Sequence, residues 1–71
     1  MKRFGEKLRT LRQRNQLTLR QLGDRLAVSN TFVLSIEQGK KSPNAEMIIK
    51  IADIFGVTAD QLMRDALEID A

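Results

Sequence analysis

The sequence predicts an all-α fold of five short helices, and three observations predict it. Apolar residues recur at three- and four-residue spacing in five successive segments. Residues that start or stop helices separate these segments, with Thr18, Ser29, Asn44 and Thr58 as caps and Gly39 and Gly56 as terminators. Strict apolar–polar alternation is absent, and tyrosine and tryptophan are missing altogether, so little remains from which to build strands.

The first helix, over about residues 2–14, carries Phe4, Leu8 and Leu11 at i, i+4 and i+7. Its other faces carry Lys2, Arg3, Lys7, Arg9, Arg12 and Arg14. Asn15-Gln16 interrupts the pattern, and Leu17 precedes a second helix over about 18–26. Thr18 and Gln21 form a capping-box pair for it, with Leu22 and Leu26 on one face. A third helix, about 29–38, starts at Ser29 and buries Val33 and Ile36 before Gly39 ends it. Lys40-Lys41-Ser42-Pro43 is then a basic loop, since proline discourages helix in the residue before it. Asn44 caps a fourth helix to about residue 55, with Met47, Ile48, Ile51, Ala52 and Phe55 as its apolar face. Thr58 and Gln61 repeat the capping box for a fifth helix, about 58–67, lined by Leu62, Ala66 and Ile69 with Met63 and Leu67 on a second strip. The expected core is Leu8, Leu11, Leu22, Leu26, Val33, Ile36, Ile48, Ile51, Phe55 and Leu62.

A chain of 71 residues fits one small domain over 1–71, with no sequence repeat or low-complexity segment. With neither cysteine nor histidine, disulfides, the commonest zinc ligands and a histidine-paired nucleophile are excluded. The carboxylates are spread along helix faces with no glycine-rich phosphate loop beside them, so an enzyme is not expected. No metal, cofactor or small-molecule ligand is indicated. No run reaches the roughly 18 apolar residues of a membrane span, and a cytoplasmic location is the default expectation. The net charge is +3, yet residues 1–41 hold +7 and residues 42–71 hold −4. Such a basic half suits a polyanion, although a solvated helix face has the same composition.

Only Ala27 and Val28 separate the second and third helices. So short a link makes them cross at a large angle, the helix-turn-helix arrangement whose second helix can enter a DNA major groove. At about 100° per residue, Ser29, Val33, Ile36 and Glu37 cluster inward on the third helix. Outward lie Thr31, Ser35 and Gln38, flanked by Leu34, with Asn30 at the N-terminal end and Phe32 on the other flank. Asn can bond two atoms of an adenine edge, Thr and Ser can donate or accept, and Leu34 can touch a thymine methyl. A soluble helix also presents a polar face without any ligand, and single exposed leucines are ordinary. For phosphate, the amides that open the second helix and the Thr18 hydroxyl form a suitable helix N-terminus. Arg20 opposes the dipole there, which a phosphate would offset, and Gln38, Lys40 and Lys41 stand at the exit of the third helix.

Taken together, LTLRQLGDRLAVSNTFVLSIEQGKKSP and IIKIADIFGVTADQLM resemble the Cro/repressor-type, or Xre, helix-turn-helix family over about Phe4 to Met63. The most specific elements are Leu17-Thr18, the Val-Ser before the third helix, Ile36–Lys40, and Phe55–Thr58. The resemblance implies a five-helix, lambda-repressor-like domain that binds double-stranded DNA, usually as a homodimer on a two-part operator, without a cofactor. It places base contacts at Asn30, Thr31 and Ser35, with Leu34 as a lesser candidate, and backbone contacts at Thr18, Leu19, Gln38 and Lys40. It also implies a pairing of Arg12 with Glu37 that would orient the arginine near phosphate. This chain departs from the family at Leu19, where glutamine is common, at Gly23 and Ala27, where alanine and glycine are usual, and at Phe32. Gly23 would cost about 1 kcal/mol relative to alanine, and Ala27 would be strained if the turn needs positive φ. Phe32 is expected to pack.

Dimerisation is expected through Met63, Leu67 and Ile69, unless these complete the core. A second reading, a protein-interaction module or antitoxin of the same fold that uses the DALEID tail, leaves the basic first helix and Lys40-Lys41 without a purpose.

Overall fold

A computed structural model describes residues 1–70. It contains α1 (Phe4–Arg14), α2 (Leu19–Leu26), α3 (Asn30–Glu37), α4 (Ala45–Phe55) and α5 (Ala59–Met63). The caps decide where four of the five begin. Thr18 Oγ1 accepts the Gln21 amide at 3.0 Å while Gln21 Oε1 accepts the Thr18 amide at 2.9 Å, and Thr58 with Gln61 repeats both bonds. Ser29 accepts from the Phe32 amide and Asn44 from the Met47 amide.

α1 packs against α3 and α5, α2 against α3 and α4, and α4 against α5. Phe4, Leu8, Leu11, Leu22, Leu26, Val33, Ile36, Ile48, Ile51, Ala52 and Leu62 are buried where these helices meet. Phe55, expected in the core, is only half-buried and packs on its edge. Phe4 and Ala52 take central places instead.

Three further expectations change. Lys7 does not lie on a solvated face: it is 2% exposed, and its ammonium donates to the carbonyls of Gln61, Arg64 and Leu67 at 2.6, 2.7 and 2.7 Å. An ammonium has three N–H donors, so the group is fully satisfied and its burial is tolerable. The fifth helix stops at Met63 instead of about 67, because Lys7 draws off carbonyls that a continuing helix would pair within itself. Ala66 is consequently exposed outside the helix, and Ile69 packs back on the core from the tail. α1 starts at Phe4 because the cap comes from elsewhere: Asp65 accepts the amides of Lys2 and Arg3 at 3.0 and 2.9 Å.

The acidic tail thus lies along the basic first helix, with Arg3 also bonded to Glu68 and Arg14 to Asp70. Backbone amides hold Asp65 below the ordinary carboxylate range, and Arg3 and Arg14 do the same for Glu68 and Asp70. Depressed carboxylate values mean that these contacts contribute above about pH 4 and are lost as pH falls through the lowered values. Part of the charge asymmetry along the sequence is therefore intramolecular pairing, through Arg3–Glu68 and Arg14–Asp70.

Candidate nucleic-acid interface

The α2–α3 unit is held at close range by its small residues. A Cβ on Gly23 would stand 2.7 Å from the Val28 carbonyl oxygen and 3.2 Å from the Asn30 nitrogen. Contact with the turn therefore requires glycine, and the helix-propensity penalty of about 1 kcal/mol is outweighed by the clash that alanine would introduce. Ala27 does adopt the left-handed conformation, at φ 59° and ψ 39°. This costs about 1 kcal/mol, and the bond from the Val28 amide to the Gly23 carbonyl at 2.9 Å helps hold the turn.

α1 fixes the far end of α3. Arg12 donates through Nε and Nη2 to the two Glu37 oxygens at 2.7 and 3.1 Å, and through Nη1 to the Leu17 carbonyl at 3.0 Å. Glu37 is nearly buried, its side chain 3% exposed, against 14% for Arg12. The ion pair implied by the resemblance is thus present, and it also ties down the residue before α2. Three of the five guanidinium N–H donors are engaged, and two remain for a phosphate.

With Val33 and Ile36 buried, α3 leaves Asn30, Thr31, Leu34 and Gln38 exposed, Leu34 at 38%. Ser35 is half-buried and donates its hydroxyl to the Thr31 carbonyl at 3.0 Å. Asn30 Oδ1 accepts the Thr31 amide at 2.9 Å. At the start of α2, the Thr18 and Gln21 amides are consumed by the capping box, which leaves those of Leu19 and Arg20 for an anion. The Leu19 side chain packs on the core, so its backbone is what it offers.

Arg20 is exposed and lines a cleft with Asp24, Val28, Ser29 and Asn30, beside the start of α3. Lys40 and Lys41 are exposed beyond Gly39, whose φ of 76° turns the chain out of α3. The Lys41 ammonium rests 5.3 Å from the centre of the Phe32 ring, and Phe32 packs on the core as expected. A cation missed in the sequence is Arg9. It lines a cleft of about 330 Å³ with Arg12, Leu19, Leu34, Glu37 and Gln38. Its position three residues before Arg12, hence on the same side of α1, was the available signal. Met63 and Leu67 lie away from the core, 40% and 38% exposed, whereas Ile69 already packs on it. Among the described residues no helix is long and apolar enough to cross a membrane.

Comparison with known proteins matches residues 3–67 to the helix-turn-helix domain family. The chain is 43% identical over 60 residues to the HTH-type transcriptional activator BcrR of Enterococcus faecalis, covering 84% of this chain and 29% of that protein. It is 37% identical over 67 residues to the HTH-type transcriptional repressor RghR of Bacillus subtilis, covering 93% and 50%. To the cryptic phage CTXphi transcriptional repressor RstR of Vibrio cholerae it is 30% identical over 63 residues, covering 89% and 57%. The chain thus spans 29% to 57% of the length of these three relatives. With α2 set against α3 through Gly23 and α1 tied to α3 by the Arg12–Glu37 pair, the chain belongs to the helix-turn-helix domain family, in its Cro/repressor-type (Xre) form.

Proposed function

We propose that the chain binds specific double-stranded DNA sequences as a homodimer on a two-part operator, with α3 in the major groove of each half-site. One observation carries this reading: α3 is anchored on its inner side yet leaves Asn30, Thr31, Leu34 and Gln38 exposed on the other. Base edges would meet Asn30, Thr31, Leu34 and Ser35. Phosphates would meet the Thr18 hydroxyl, the amides of Leu19 and Arg20, and the side chains of Arg12, Arg20, Gln38, Lys40 and Lys41. Since Arg3, Lys7 and Arg14 are engaged by the tail, the cations that remain for phosphate besides Arg12 are chiefly Arg9, Arg20, Lys40 and Lys41.

About four neutralised phosphates per protomer give a salt slope of about −3.6 for each half-site. Titration of selected duplexes against salt is expected to show this steep fall. Lys40→Ala should weaken all sequences alike and lower the slope by about one per protomer. Failure to retain any duplex at low salt would overturn the reading.

Two half-sites about 34 Å apart would double the contact area of so small a protein. The exposed Met63 and Leu67 support association through α5 and the tail, on the less basic part of the chain. Met63→Asp is expected to weaken self-association in sedimentation and duplex affinity together. If neither changes, α5 is not the interface.

A further inference from the structure

We propose that Phe32 positions the Lys41 ammonium for a backbone phosphate on one side of the major groove, an inference that rests on α3 lying in that groove. At about 100° per residue, Thr31 faces almost directly away from the buried Val33 and Ile36. Leu34 and Phe32 then mark its two flanks, about 160° apart. The groove is about 12 Å wide and a helix with its side chains nearly fills it, so each flank meets the phosphates of a different strand. On the Leu34 flank stand Arg9, Arg12 and Gln38, which share its cleft. The other flank has Lys41.

The path of the chain brings Lys41 there. Gly39, at φ 76°, turns the backbone at the end of α3, and the amides of Lys40 and Lys41 both donate to the Ser35 carbonyl, at 2.9 and 3.3 Å. Ser35 is only about 60° around the helix from Phe32, so the loop lies along that side. Phe32 packs on the core with its ring partly exposed, and the Lys41 ammonium rests 5.3 Å from the ring centre. A free lysine has many rotamers, and closing on a phosphate must order it. The negative face of the ring holds the charge in place beforehand, so less freedom is lost on binding. The ammonium makes no hydrogen bond among the described residues, and its donors remain for phosphate oxygens. Lys40 has no ring beneath it among the described residues, so the two adjacent lysines are not equivalent.

The test titrates a duplex selected from a random library by the intact chain, using that chain, Phe32→Leu, Phe32→Tyr, Lys41→Ala and the Phe32→Leu/Lys41→Ala double variant. Thermal melting verifies that each folds. Leucine keeps an apolar packing partner without a ring face, whereas tyrosine keeps the face. Lys41→Ala is expected to lower the salt slope by about one per protomer. Phe32→Leu is expected to weaken each half-site about two- to fivefold, the range of an exposed ammonium–ring contact, and that loss is expected to disappear when residue 41 is already alanine. Phe32→Tyr is expected to bind as the intact chain does. A Phe32→Leu loss of the same size in both backgrounds overturns the positioning role, because packing or a direct contact with DNA would not depend on Lys41. An unchanged salt slope in Lys41→Ala, which removes an exposed side chain and leaves the core untouched, overturns the phosphate contact while leaving α3 as the reading helix. Retention of no duplex by the intact chain overturns the groove reading itself.

Discussion

Replacing Lys7 with methionine is expected to lower the unfolding free energy by about 2–4 kcal/mol and to release the tail from α1. Methionine fills similar space, so the loss is not mainly a cavity effect. What disappears is the ammonium that the Gln61, Arg64 and Leu67 carbonyls converge on. Exchanging a buried charge for an apolar group is mild only when its partners are exchanged too, and backbone carbonyls cannot be. They regain partners by turning to water, which detaches the segment that carries them. Urea denaturation measures the stability, and amide exchange over residues 59–70 measures the release. A loss under about 1 kcal/mol with the tail still protected would show that the ammonium is not what holds it.

Gly5→Ala is expected to be damaging for the opposite reason, too much volume. Its Cβ would stand 2.4 Å from the Ile36 carbonyl oxygen and 2.5 Å from that of Glu37. Both are backbone atoms at the end of α3, so neither can yield by rotating a side chain. α1 would have to move away, loosening the Arg12–Glu37 pair that aligns the two helices. The expected cost is about 3 kcal/mol or more, against a gain below about 1 kcal/mol from helix propensity. Duplex affinity should fall with it, since the recognition helix loses its anchor. Denaturation midpoints and duplex titration check the two effects, and a variant as stable as the parent would contradict the close packing of α1 on α3.

The interface divides in the same way between what is local and what is not. Thr31, Leu34 and Gln38 were placed outward by rotation per residue alone, because Val33 and Ile36 had to face the core. The amides left open at the start of α2 are narrowed to Leu19 and Arg20 by a capping box whose residues are three apart. Arg9, by contrast, gains significance only when α1 is laid beside Leu34 and Gln38. The basic first helix divides for the same reason, with Arg9 and Arg12 beside α3 and Arg3 and Arg14 paired with the tail. A count of charges cannot tell cations facing solvent from cations already paired with the tail.

Sequence alone determined the five helices, four of their N-caps, nine core positions and the helix-turn-helix at Thr18–Gln38, since periodicity and caps act over a few neighbouring residues. Only the tertiary structure decided the burial of Lys7, the capping of α1 by Asp65, the early end of α5 and the need for glycine at positions 5 and 23. The first two bring together residues 54 to 63 positions apart, and the glycines answer to backbone atoms of another helix or of the turn. Such partners have no signature in local spacing, because the energy that selects them arises only when the helices pack.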